Sequence, residues 1–107
     1  ANILVIDVRI NYCSNSLANT AGVYAIFQDS TAGALAASTS TVSSNNQVGS
    51  ASMQHVMVAG TTSATTFKVR YGPRAGQTLY IGSDAGAAGG MFGSIPIAYL
   101  TITEYEA

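Results

Sequence analysis

A chain of 107 residues with a formal net charge of -1 and only 8% charged side chains lacks the clustered Lys and Arg that neutralise phosphates, which excludes a nucleic-acid groove. Hydrophobic residues make up 48% of it, which excludes disorder driven by low hydrophobicity and high charge. No unbroken apolar run exceeds five residues, as at Val23, Tyr24, Ala25, Ile26 and Phe27, whereas a membrane-spanning helix needs about 20.

No helical period is present, and Gly, Ser, Thr and Asn fill the polar stretches with turn formers that make poor helices. Strand signals recur instead. Residues 3–12 read as the first strand, with Leu4, Ile6, Val8, Ile10 and Tyr12 on one face by period-two alternation. Ile3 and Val5 share the other face with Asp7, Arg9 and Asn11, and Asp7 and Arg9 are placed to pair along or across the sheet. A polar loop follows. Residues 22–28 form a second strand, with Val23, Ala25 and Phe27 opposite Tyr24 and Ile26. Residues 34–37 read as a short third strand, and 38–50 as a long loop or weak edge strand.

Residues 51–58 form the next strand, with Met53, His55 and Met57 on one face and Gln54, Val56 and Val58 on the other. Residues 65–71 alternate cleanly, with Phe67, Val69 and Tyr71 opposite Thr66, Lys68 and Arg70, the mark of a half-solvated antiparallel strand. Residues 72–76, Gly-Pro-Arg-Ala-Gly, read as a hairpin connection with Pro73 in a tight turn. A strand over 78–81 precedes a Gly- and Ala-rich loop over 82–90 that carries Asp84. Residues 99–106 form the last strand, with Leu100 and Ile102 inward and Thr101, Thr103 and Tyr105 outward. The expected fold is all-β: one domain over residues 1–107, an antiparallel β-sandwich of seven to eight short strands, jelly-roll-like. First and last strands both read as central, and if they pair the two chain ends emerge together.

The chemistry-bearing residues form no catalytic constellation. Cys13, the single cysteine, cannot make an internal disulfide or a zinc site alone. Cys13 with His55 would be a nucleophile and base, but no third group is placed by spacing. Glu104 and Glu106 share a strand face, with Lys68 and Arg70 as their expected partners. Asp29 and Asp84 suit turns for backbone reasons. No Lys follows the glycines of 82–90 and no helix starts there, so they are not a phosphate loop. The expectation is a non-enzyme with no cofactor and no metal. Ala1 stands first, which fits either a removed initiator Met or an excerpt of a longer polypeptide.

The few charges leave roughly 600 Å² of surface for each one. A surface so poor in charge invites association, so the chain is expected to be covered by copies of itself. His55, flanked on its strand face by Met53 and Met57, reads as a sheet or interface histidine. Tyr is suited to interfaces and to stacking on sugars, being apolar with a polar tip, and Tyr71, Tyr80, Tyr99 and Tyr105 crowd the C-terminal half. Tyr99, Tyr105, Met53 and His55 are therefore candidate subunit-interface residues. Gly86, Asp84 and Arg74 are candidate receptor-facing loop residues.

Three segments carry a resemblance: Thr61-Thr62-Ser63-Ala64-Thr65-Thr66-Phe67-Lys68-Val69-Arg70, Gly76-Gln77-Thr78-Leu79-Tyr80-Ile81, and the closing Tyr99-Leu100-Thr101-Ile102-Thr103-Glu104-Tyr105-Glu106-Ala107. Together they resemble the C-terminal domains of tail-fibre and virion structural proteins of tailed bacteriophages. The resemblance covers about two-thirds of the chain by hydrophobic outline. The Gly72-Pro73-Arg74-Ala75 and Ser94-Ile95-Pro96-Ile97 segments depart from it. It implies a homotrimer shaped like fibre heads and tumour-necrosis-factor-like or C1q-like domains, resident in the virion after synthesis in the host cytoplasm. Its partners would be copies of itself, other virion proteins and a host-surface glycan or protein, with no nucleic acid and no membrane insertion. Two roles compete under that implication: a fibre or spike tip that attaches to the host, and a small capsid-decoration or head-fibre protein acting through subunit contacts. A lectin-like glycan-binding module is the further alternative.

Overall fold

The computed structural model describes residues 1–16, 20–42, 47–84, 87–88 and 97–107, and holds no helix among them. In chain order the strands are β1 (Ile3–Asn15), β2 (Thr20–Gln28), β3 (Ala36–Val42), β4 (Val48–Val58), β5 (Phe67–Pro73), β6 (Leu79–Ile81), β7 (Ser83–Asp84), β8 (Ala87–Ala88) and β9 (Ala98–Tyr105). Seven of them make two antiparallel sheets. The first sheet has β1 at its centre, with β4 along one edge. On the other edge β9 runs beside Ile3 to Ile10 and β6 beside Cys13 to Asn15. The second sheet has the order β3-β2-β5, and β7 and β8 form a separate two-stranded ribbon.

The two sheets share one core in a sandwich-like arrangement. Ile6, Val8, Ile10 and Cys13 of β1 and Ala51 of β4 meet Tyr24 and Ile26 of β2. Phe67 and Val69 of β5 and Leu79 and Ile81 of β6 pack around them. Full burial of an aliphatic side chain contributes roughly 1.5–3 kcal/mol relative to exposure, so the β1 stripe and the Tyr24–Ile26 pair hold the layers together.

The alternation read for β1 holds as far as Ile10 and then breaks. Ile10 faces Ala51 while Cys13 faces Gly49, so three steps on β1 match two on β4. This one-residue bulge re-aims the chain. Cys13 enters the core at 1% exposure, and Tyr12, expected on the core face, is only half-buried. At this end of the sandwich Gly22 allows a close approach: a Cβ there would stand 2.8 Å from Leu79 Cδ1 and 3.0 Å from the Tyr24 hydroxyl.

Of the two readings of 38–50 the edge strand is the nearer: the stretch contains most of β3, an edge of the second sheet, and the start of β4; its Ser and Thr side chains suit an edge, and β3 lies against β4. Three expectations are corrected. The 72–76 segment is not a hairpin. Gly72 and Pro73 continue β5 against Val23 and Gly22 of the second sheet, and the chain then crosses to β6 in the first sheet. Gln77 fastens this crossing by donating its side-chain amide to the Ala21 carbonyl at 3.0 Å. The 82–90 loop contains the β7–β8 ribbon, which is entered through Gly82 in the left-handed region at φ 75°. The last strand does pair with the first, but it is an edge: among the described residues β9 is bonded to β1 alone.

Candidate assembly surface

β9 is the element on which the surface is built. Every residue from Ala98 to Tyr105 is exposed, although the strand carries Tyr99, Leu100, Ile102 and Tyr105. The cause is a mismatch between layers. The register sets Ile102 opposite Ile6, Leu100 opposite Val8 and Ala98 opposite Ile10, and residues directly opposite in a ladder share a face. Leu100 and Ile102 therefore point inward, as expected. The second sheet ends at β5, however, and among the described residues no strand lies over their half of the inner face.

Between β5 and β9 the open side of the sandwich forms an apolar hollow of about 230 Å³. Val8, Ile10, Val69, Ile81, Ala98 and Leu100 line it, and Tyr71, Tyr99 and Arg9 also border it. Tyr71 faces Tyr24 across the β2–β5 ladder; the partner is wholly buried while Tyr71 is 56% exposed. The opposite side of the sandwich is closed by β3 against β4.

The outer face of the first sheet carries a second apolar surface. The register aligns Val58, Ile3 and Tyr105 in one row across β4, β1 and β9, and Val56, Val5 and Thr103 in the next. Val56, Val58 and Tyr105 are 55%, 54% and 57% exposed. Further along, the rows turn polar. The Gln54 amide donates to Asp7 Oδ1 at 2.9 Å, and Arg9 stands between Ser52 and Tyr99.

The candidates from the sequence fall in different places. Tyr99 and Tyr105 lie on the outer face of β9, exposed. Met53 and His55 lie on the inner face of β4, opposite Val8 and Ile6, where both are half-buried and Met53 packs on the core. Arg74 is exposed in the crossing after β5. Asp84 pairs with Ala87 in the β7–β8 ribbon. Gly86 lies outside the described residues. Val56, Val58, Leu100 and Ile102, which were not singled out, complete the two surfaces together with Tyr71, which the sequence offered only as one of four C-terminal tyrosines. The signal for Val56 and Val58 was available in the sequence, because they alternate beside a first strand that is apolar on both faces at its start.

The charged and reactive residues are also separated. Cys13 faces Gly49 and His55 faces Ile6, about 20 Å apart along β4 by strand rise, so they form no nucleophile–base pair. The Cys13 sulfur lies 3.5 Å from the Gly49 carbonyl oxygen and 3.7 Å from Ser40 Oγ, so its single proton has two acceptors in reach. Glu104 accepts from the Asn2 amide at 2.8 Å. Arg70, expected beside the glutamates, sits with its guanidinium 5.0 Å from the centroid of the Phe27 ring, on the other sheet. Asp7 is bound by Gln54 rather than Arg9. Among the described residues no three His, Cys, Asp or Glu side chains gather as metal ligands, and no helix is long and apolar enough to cross a membrane.

No family model matches the chain, and neither a curated protein nor a solved structure does.

Proposed function

We propose that the chain is a structural module of a tailed-bacteriophage virion, a jelly-roll-like sandwich that trimerises at the tip of a tail fibre or spike. The observation that carries this reading is β9, an apolar strand exposed on both faces in a chain with 8% charged residues. Contiguous exposed apolar surface of this kind marks an interaction site rather than a solvated one, and an unpaired apolar edge invites pairing. The resemblance of residues 61–70, 76–81 and 99–107 to phage fibre domains supplies the biological setting. The role is non-catalytic, and any contact with a host glycan or protein falls to the loops away from the chain ends.

Those ends support the placement. Asn2 Oδ1 accepts from the Ala107 backbone N–H at 3.4 Å, and Ala1 and Ala107 lie at one end of the β1–β9 ladder. The crossing at 74–77 and the β7–β8 ribbon lie at the other, beside Ser16 and Tyr12. A shaft attached at the chain ends leaves that far end free.

Light scattering across a dilution series tests the reading. A stable mass near three subunits is expected. A monomer that persists at all concentrations overturns it, as does turnover of a surface polysaccharide by the isolated chain.

A further inference from the structure

Resting on that self-assembling reading, we infer that copies of this chain meet head to tail, with the outer-face patch of one copy (Val56, Val58 and Tyr105) seated in the β5–β9 hollow of the next. The argument starts from shape. The hollow is concave, with about 230 Å³ to fill. The patch is a sheet face from which Val and Tyr side chains project. Two hollows placed together about a two-fold axis leave space between them, and two flat patches leave both hollows open. Only unlike surfaces fill each other, and contact between unlike surfaces is heterologous, the kind that closes into a ring.

Chemistry agrees with shape. The six positions Val58, Ile3, Tyr105, Val56, Val5 and Thr103 carry no charge, and they span three strands, about 10 Å across. Tyr71 and Leu100 give the hollow an apolar wall, with the charge of Arg9 at its border. Neither surface has a covering element among the described residues.

Exposure agrees as well. Val56, Val58 and Tyr105 of the patch are 54–57% exposed, and Tyr71, Leu100 and Ile102 on the hollow side are 36–56% exposed. A neighbour in the hollow supplies the missing layer over Leu100 and Ile102.

The test uses charge at exposed positions, where folding tolerates it. Tyr71→Lys spoils the hollow and Val56→Lys spoils the patch. Ile102→Lys and Tyr105→Lys are second variants should either of the first melt below the native chain. Each variant alone is expected to associate at least tenfold more weakly than the native chain by light scattering. Mixed in equal amounts, a hollow variant and a patch variant retain one intact contact and are expected to form a two-subunit species containing one of each. The inference is overturned if patch variants assemble like the native chain, or if the mixture stays at the mass of one subunit. A native chain that never assembles is a different result: it overturns the self-assembly reading itself.

Discussion

Ile6 and Ile102 face each other across the β1–β9 ladder, yet Ile6 is wholly buried and Ile102 is 45% exposed. The same side chain on the same sheet face meets the second sheet at one position and passes its edge at the other. Ile6→Ala should therefore cost about 2–5 kcal/mol of folding stability, and Ile102→Ala roughly half the transfer value of a buried isoleucine or less. Urea titration at a concentration where the chain is monomeric separates the two. Equal losses would mean that Ile102 is already covered within one subunit.

Among the described glycines outside the left-handed region, Gly22 should be the least replaceable. In Gly22→Ala the new methyl meets Leu79 Cδ1 and the Tyr24 hydroxyl inside contact distance. The leucine end can turn away, but Tyr24 is locked in the core. A loss of about 1–3 kcal/mol is expected, the usual range for overpacking. Gly60→Ala, with nothing within 4 Å of the new atom, should change stability by less than about 0.5 kcal/mol. Thermal melts of both variants check the contrast.

The Asp29 turn predicts an order of variants. Asp29 sits at φ 50°, a left-handed backbone that Asp and Asn tolerate better than other side-chain-bearing residues. Its carboxylate accepts from the Thr66 N–H at 2.9 Å, which ties the end of β2 to the residue before β5. Asp29→Asn keeps the backbone preference and the acceptor and should be nearly neutral. Asp29→Gly keeps only the backbone freedom. Asp29→Ala loses both and should cost the most, about 1–3 kcal/mol. Chemical denaturation that ranks Gly below Ala would refute this account of the turn.

Tyr24 predicts an alkaline weakness. Burial holds its hydroxyl pKa well above the ordinary phenol range, and the adjacent Cys13 thiol adds to the rise while Ser40 opposes it. The unfolded chain releases this proton near pH 10, while the folded chain keeps it to higher pH. In that interval the folded state binds more protons, so stability falls as pH rises. The slope should reach at most about 1.4 kcal/mol per pH unit. Tyr24→Phe should remove that contribution while keeping the ring in the core. Urea midpoints measured from pH 7 to 11 test both statements.

Much of the layer arrangement was legible in residue alternation. Tyr24 and Ile26 were placed on one face of the second strand, and Phe67, Val69 and Tyr71 on one face of the fifth. Alternation tells which side of a sheet a residue takes, not whether anything lies over it, and so Leu100 and Ile102 read as core. The β1 bulge was hidden because Tyr12, with its largely apolar ring, continues the pattern of Ile10 past the break. The crossing at 72–76 read as a hairpin because Gly and Pro announce a turn without saying which sheet receives the next strand. Of the candidate surface, Tyr99 and Tyr105 were legible as exposed tyrosines, whereas the hollow requires knowing where the second sheet stops.

The antiparallel pairing of β1 with β9 also decides how the chain bears force. Tension applied between Ala1 and Ala107 pulls at one end of that ladder and opens it one bond at a time, like a zipper. Tension applied at Ala1 and resisted at the 74–77 crossing runs lengthwise along β1, so its bonds to β4 and β9 share the load together in shear. The strand is therefore easy to peel by the two chain ends and hard to drag out against the far end of the sandwich. A particle that hangs its weight on the loops while being held by the chain end loads it in the stronger direction.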